Sequence, residues 1–150
     1  MKFFTHMLVH FLLATIACYV VYFLFRVPRA VVICFAAAIL CDLDHIFEFW
    51  AAYGFTLNPI KFWKVTLSKR NYFKETGKVH LFFHGWEYII IVMIAGAVTS
   101  KYNLAVSFSL GYGLHLLWDQ VNFGKHALSY SLLFRLQQDF DLEKIIQKKI

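Results

Sequence analysis

The sequence predicts an all-α integral membrane protein, a bundle of about four antiparallel helices with an amphipathic connection and a C-terminal tail. First, 60% of its 150 residues are hydrophobic and 19% aromatic, which is more than the core of one soluble domain needs. Second, four apolar stretches recur at residues 7–25, 30–41, 88–99 and 104–117. Third, basic residues concentrate in alternate connections. We therefore expect a single membrane-embedded domain over residues 1–150.

The first two helices follow from the N-terminal apolar stretches. Residues 7–25 approach the ~20 residues that cross a bilayer, whereas the other three stretches span it only if each helix extends into its polar flanks. Only Lys2 precedes the first apolar run, which continues past Cys18, so we expect a retained helix rather than a cleaved signal peptide. Pro28 suits the first turn of the second helix and predicts a tight link before it.

Two further segments lie outside the predicted spans. Residues 51–79 form the longest connection, and its turn residues are Gly54, Asn58, Pro59 and Gly77. Its aromatic and lysine content predicts a segment resting in the headgroup region. The tail from about residue 128 to residue 150 has apolar residues among charges and predicts one or two short amphipathic helices.

Charge predicts the orientation. With four spans, the two termini and the 51–79 connection lie on one side, and the opposite side carries only Arg26, Arg29 and Lys101. The positive-inside rule therefore predicts a multi-pass membrane protein with cytoplasmic termini. This also explains the net charge of +6 without nucleic-acid binding; the expected partners are membrane lipid and an anionic or phosphorylated substrate. The basic residues on the predicted cytoplasmic side are Lys2, Lys61, Lys64, Lys69, Arg70, Lys74, Lys78, Lys125, Arg135, Lys144, Lys148 and Lys149.

Histidines and acids fall at one predicted end of all four helices. Because residues three or four apart share a helix face, the spacing predicts stripes of ionisable side chains. In a regular helix Asp42 and His45 share a face and Asp44 points away, whereas a helix ending at Asp42 lets either aspartate turn inward. The predicted stripes are His6 with His10, His80 with His84 and Glu87, and His115 with Asp119.

This convergence predicts a metal site. Ionisable groups at membrane depth are costly and usually functional, and helical bundles hold metals with imidazoles and carboxylates. Zinc is the leading ion, and manganese or iron fits the same donors. His10 and His80 are expected to be interfacial or hydrogen-bonded, His126 to lie on the surface and Glu48 to be solvated. The predicted ligands are His6, Asp42, His45, His84, His115 and Asp119; they exceed one tetrahedral zinc, so some orient others or hold a second ion.

Four segments carry a family resemblance: "THML" at residues 5–8, "ILCDLDH" at 39–45, His84, and "GYGLHLLWD" at 111–119. Because of the order and spacing of these segments, the chain resembles the LexA-binding, inner-membrane-associated hydrolases, a family of small membrane-bound metal-dependent enzymes. Cys41 replaces the family's usual proline. "VHLFFHGWE" stands where the family has His-Arg-Gly-x-Thr-His-Ser, and only His84 matches in register. His115 and Asp119 also give a looser similarity to zinc-dependent phospholipase C and S1-type nucleases.

Together these features predict a metal-dependent hydrolase acting on phosphoesters or lipid-like substrates at the cytoplasmic membrane face. A divalent ion lowers the pKa of bound water towards ~7, and Asp44 or Glu87 is the expected general base. One alternative is a noncatalytic membrane protein with a structural metal or a proton-relay cluster. The acids lie at one predicted end only, which argues against a transport path. A membrane tether for a regulatory protein is a third reading, which rests on the family name.

Overall fold

The computed structural model describes residues 3–67 and 72–146 of the chain. Within these residues there is no β-strand, and the only pairings outside helices are two isolated bridges, Lys78 with Asp141 and Gly124 with Ile146. The predicted all-α class is confirmed. Lys2, Lys69, Arg70, Lys148 and Lys149 lie outside the described residues. The elements are α1 (Phe3–Phe25), α2 (Pro28–Leu40), a 3-10 turn (Cys41–Leu43), α3 (Asp44–Tyr53), α4 (Pro59–Leu67), α5 (Tyr72–Thr76), α6 (Glu87–Val98), α7 (Tyr102–Phe123), α8 (Leu132–Gln137) and α9 (Leu142–Ile145).

The chain divides into two compact units. The first contains Met1–Cys41 and Trp86–Asp119, and the second contains Asp42–Gly85 and Gln120–Ile150. The first unit therefore holds α1, α2, α6 and most of α7. The second holds the shorter helices together with the last turn of α7. The prediction of a single domain over the whole chain stays a prediction.

Small side chains build the core of the first unit. Pro28 occupies the first turn of α2 as predicted, and Arg26, with φ of 55°, turns the chain into the two-residue link before it. Gly111 of α7 lies against α2, since a Cβ at this position would come 2.1 Å from the Cys34 carbonyl oxygen. Small residues let helices approach closely where hydrocarbon surrounds them. The buried core residues are Ala17, Val21, Ala30 and Cys34.

Aromatic and aliphatic side chains build the core of the second unit, and the C-terminal tail completes it. The tail forms α8 and α9, which confirms the predicted short helices. Its backbone pairs with the segment after α5: Val79 donates to the Phe140 carbonyl at 2.8 Å, and Leu142 donates to that of Gly77 at 3.0 Å. Lys78 lies 2.7 Å from Asp139 and lowers the pKa of that carboxyl by hydrogen bonding and charge. The core residues are Phe49, Tyr72, Phe73, Val79, Leu81, Ile145 and Ile146.

Two helical stretches, Phe4–Phe25 and Pro28–Tyr53, are long and apolar enough to cross a membrane, and α6 is a shorter apolar helix. A signal sequence near an N-terminus meets the same criteria of length and composition. The surface of α1 is apolar, because Phe11, Ile16 and Phe23 are all more than half exposed. Such a surface marks contact with lipid or protein. The predicted bundle of about four spans stays a prediction.

Candidate metal centres

One carboxylate faces two imidazoles in the second unit. Asp42 Oδ1 lies 3.4 Å from His45 Nε2 and 3.6 Å from His84 Nε2. Ligands bound to zinc at ~2.0–2.2 Å in a tetrahedron are about 3.3–3.6 Å apart, so these two spacings match a shared ion. Ligand atoms of Asp44, His45 and His84 also lie within 4.8 Å of one another. We call Asp42, Asp44, His45 and His84 the second-unit cluster.

The other ring nitrogens of these histidines are engaged away from Asp42. The Tyr72 hydroxyl is 2.9 Å from His45 Nδ1, and Asp44 Oδ2 is 3.0 Å from His84 Nδ1. Burial raises the pKa of Tyr72, and the nearby Asp42 charge raises it further, so the hydroxyl is neutral. Metal-binding histidines almost always donate their second N–H to such a partner, which orients the ring and sets its tautomer. In the tautomer in which each Nδ1 carries the proton, both Nε2 atoms have the lone pair that a cation needs.

Burial of the second-unit cluster is uneven. His84 is 0% and Asp44 1% exposed, and Asp44 Oδ1 is buried with no hydrogen-bond partner among the described residues. A buried carboxylate oxygen of this kind fits a cation. The side chains of Asp42 and His45 are 27% and 24% exposed. Asp42 Oδ1 itself is buried, so the exposed part of this cluster is the His45 ring and the remainder of the Asp42 side chain.

The segment that carries His84 is a turn rather than the start of a helix. The prediction that His80, His84 and Glu87 form a helical stripe is wrong, because α6 begins at Glu87. Glu48 accepts hydrogen bonds from the backbone N–H groups of His80 and Leu81. Asp44 accepts one from Phe83 at 2.8 Å. Because carboxylates of α3 take these backbone donors, the segment does not form helical hydrogen bonds.

One expectation about a polar residue near this segment is also wrong. Glu48 is 2% exposed rather than solvated, since its carboxylate is the acceptor for the turn. Arg135, one of the basic residues of the predicted cytoplasmic side, is 1% exposed and donates from Nη2 to the His84 carbonyl at 2.7 Å. Leu81 has φ of 35°, a left-handed conformation that a leucine rarely adopts. The C-terminal tail and α3 thus hold His84 from both sides.

A second group of ligands lies in the first unit. His6 Nε2 and His10 Nε2 are 3.1 Å apart, and they lie 3.7 and 3.0 Å from Asp119 Oδ1. These three atoms form a triangle whose edges approximate one face of a zinc tetrahedron. His115 Nε2 lies 3.5 Å from the other carboxylate oxygen. We call His6, His10, His115 and Asp119 the first-unit cluster.

The helical spacing explains how the first-unit cluster forms. His6 precedes His10 by one turn on α1, and His115 precedes Asp119 by one turn on α7, as predicted. The rings of His10 and His115 pack with centroids 4.0 Å apart. His10, His115 and Asp119 are at most 4% exposed. His10 was expected to be interfacial or hydrogen-bonded; it is buried and hydrogen-bonded to Asp119, with its ligand atom in the triangle.

All six predicted ligands belong to the described groups of possible metal ligands. His6, His115 and Asp119 lie in the first unit, and Asp42, His45 and His84 lie in the second. The prediction that all six form one shared site stays a prediction, as does the general-base role of Asp44 or Glu87. Glu87 is half-buried at the start of α6 and is absent from the described metal-ligand groups. His126 is exposed, as predicted.

The fold and these clusters define an all-helical protein with buried histidine and aspartate groups that can hold a metal ion. No protein-family model, curated protein sequence or solved structure is significantly similar to the chain.

Proposed function

We propose that this protein is a membrane-bound, metal-dependent hydrolase acting on phosphoesters or lipid-like substrates at the cytoplasmic face of the inner membrane. The observation that carries the proposal is the second-unit cluster: Asp42 Oδ1 faces two imidazole Nε2 atoms, and Tyr72 and Asp44 engage the opposite ring nitrogens. This arrangement supports a preorganised site for a divalent cation. It is consistent with the resemblance to the LexA-binding, inner-membrane-associated hydrolases.

Zinc is the proposed ion, because imidazole and carboxylate are donors that it accepts, as manganese and iron also do. When bound, such an ion supplies Lewis acidity and activates water at neutral pH. His45, His84 and Asp42 would hold it. Asp44 would keep His84 in the tautomer that leaves Nε2 as a ligand. The partial exposure of the His45 side chain supports access for water and for a phosphoryl group.

The proposed membrane location rests on α1 and on the distribution of charge. α1 exposes large apolar side chains along a length that can span hydrocarbon. The basic residues favour cytoplasmic termini and a cytoplasmic 51–79 connection. Lys61, Lys64 and Lys74 are exposed in that connection, and their charge would attract an anionic substrate.

Elemental analysis tests the metal site in full-length protein purified in mild detergent. We expect bound divalent metal in the unsubstituted protein, a loss of metal in Asp42→Asn and His84→Ala, and no loss in His126→Ala, a matched exposed histidine. Phosphodiesterase activity should disappear with chelator and return with zinc. Equal metal content in all four proteins would rule out the second-unit cluster as the site. Retained metal without chelator-sensitive hydrolysis would rule out the enzyme.

The first-unit cluster favours a second candidate, a structural metal or proton-relay role. His10, His115 and Asp119 are nearly inaccessible, and His10 is hydrogen-bonded directly to Asp119 at 3.0 Å. A closed arrangement of this kind is typical of noncatalytic sites. Under this candidate, His115→Ala and Asp119→Ala lose stability and metal, while substitutions at Asp42 and His84 leave the metal content unchanged.

A further inference from the structure

The segment after α3 exposes large apolar side chains next to lysines. Phe55, Leu57 and Ile60 are 74%, 78% and 64% exposed, and Trp63 is 50% exposed. Lys61 and Lys64 are exposed on the same helix. We call Phe55, Leu57, Ile60, Lys61, Trp63 and Lys64 the α4 surface. Singly exposed apolar residues are ordinary, but four large apolar side chains exposed within residues 55–63 indicate a binding surface.

The α4 surface is held in a defined conformation. Trp50 Nε1 donates to the Thr56 carbonyl at 2.8 Å. Asn58 Oδ1 accepts from the backbone N–H groups of Ile60 and Lys61 at 3.0 and 3.2 Å, which caps α4. Phe62 of α4 packs on Phe49 of the second-unit core, with ring centroids 5.2 Å apart. The outward side chains are therefore displayed by a folded element.

Chain connectivity and charge identify the occupant. The surface begins two residues after Tyr53, where the second membrane-length stretch ends. Ile60 follows Tyr53 by seven positions, so the chain between them spans at most ~25 Å. Tryptophan and phenylalanine favour the level of the lipid headgroups, and lysines beside them favour anionic lipid. Two exposed lysines and no acid within residues 54–67 leave the surface positive.

We propose that the α4 surface inserts into the interface of an anionic phospholipid bilayer, with Leu57, Ile60 and Trp63 among the acyl chains and Lys61 and Lys64 at the phosphates. This inference goes beyond hydrolysis and rests on the proposed membrane location. It gives the 51–79 connection a lipid-binding role of its own.

Spin labelling tests the proposal in full-length protein reconstituted into phosphatidylcholine vesicles with and without phosphatidylglycerol. Labels are placed on Leu57→Cys and Ile60→Cys, on Ile16→Cys as a marker of the α1 span, and on exposed Lys74→Cys as a reference. The unsubstituted protein, whose three cysteines are buried or half-buried, gives the background. We expect labels 57 and 60 to be more accessible to oxygen than to a water-soluble nickel complex, and label 74 to show the reverse.

The lysines are tested by charge removal. In Lys61→Gln/Lys64→Gln the phosphatidylglycerol-dependent insertion of label 60 should fall by about fivefold per lysine. Lys74→Gln/Lys144→Gln removes the same charge elsewhere in the second unit and should leave insertion unchanged.

Three results would overturn the proposal. Labels 57 and 60 could be as aqueous as label 74, could be shielded from both reagents by protein, or could insert equally with and without phosphatidylglycerol. Label 16 shows which proposal fails. If label 16 is accessible to oxygen while labels 57 and 60 are aqueous, the insertion of the α4 surface is contradicted and the membrane location is not. An aqueous label 16 contradicts the membrane location itself. None of these readouts depends on metal or on hydrolysis.

Discussion

His45 and His84 each use one ring nitrogen to reach a residue that the helical spacing does not place nearby. Tyr72 and Asp44 engage the two Nδ1 atoms, and each Nε2 atom is a ligand in the tautomer whose Nδ1 donates to these partners. A substitution that removes only the hydroxyl of Tyr72 therefore tests how the His45 ring is oriented without changing how the Tyr72 ring packs in the core.

We expect Tyr72→Phe to weaken metal binding by roughly 10- to 100-fold, the usual effect of losing a partner of a metal-binding histidine. The aromatic ring remains in the core, so the far-UV circular dichroism should be unchanged. Competition titration with a chromogenic chelator measures the affinity. Tyr102→Phe removes an exposed hydroxyl and should bind metal normally. Unaltered affinity in Tyr72→Phe would show that Tyr72 does not orient His45.

A substitution of His10 tests whether the first-unit cluster binds metal. If its Nε2 is a ligand together with His6 and Asp119, His10→Ala should lower the metal content of the purified protein, because one of three donors is gone. His126→Ala, an exposed histidine, serves as control. A metal content equal to that of the control would assign His10 a hydrogen-bonding role only.

At the scale of single elements, the two glycines of α7 have different surroundings. A Cβ on Gly111 would come 2.1 Å from the Cys34 carbonyl oxygen, whereas one on Gly113 would come 3.3 Å from the flexible end of Ile89. We expect Gly111→Ala to destabilise the protein by about 1–3 kcal/mol through overpacking. Gly113→Ala should be neutral or stabilising, because alanine favours helix by up to ~1 kcal/mol. Thermal unfolding in detergent measures both; equal midpoints would contradict the close approach of α2 and α7.

The C-terminal helices give a second comparison. Ile145 is 1% exposed within the second-unit core, whereas Leu136 on α8 is 62% exposed. Ile145→Ala should cost about 2–5 kcal/mol because it leaves a cavity, and Leu136→Ala should change stability by less than about 0.5 kcal/mol. Chemical denaturation monitored by tryptophan fluorescence checks both values. A small loss for Ile145→Ala would show that the tail is not part of the core.

The elements also show where sequence patterns stop being informative. The pairs His6 with His10 and His115 with Asp119 were predictable, because each pair lies one turn apart on a long helix. The turn that carries His84 was not, since apolar residues between His80 and Glu87 read as helix. The carboxylates that prevent a helix there lie more than thirty positions earlier. Glu48 follows Asp44 by one turn, and that spacing is the signal that could have found it.

For the molecule as a whole, the all-α class, the tail helices and the ligand types were predictable from composition and periodicity. Tyr72 and Arg135 were not, because tertiary packing alone brings them to His45 and His84. The number and orientation of the membrane spans depend on the bilayer as well as on the chain.

Reporter fusions measure this topology. They should place the N-terminus, residue 74 and the C-terminus on the cytoplasmic side and Lys101 on the opposite side. Residues 74 and 101 on the same side would contradict four spans.

The bond from Arg135 to the His84 carbonyl has a consequence during synthesis on the ribosome. Residue 135 follows residue 84 by 51 positions, a delay of roughly 3 to 10 s at bacterial or eukaryotic translation rates. Throughout that interval the nascent chain carries His84 without the guanidinium and the hydrophobic residues that later enclose it. A message cut short before this codon therefore yields a polypeptide that lacks this bond, and we expect its histidine turn to be less rigid than in the full chain.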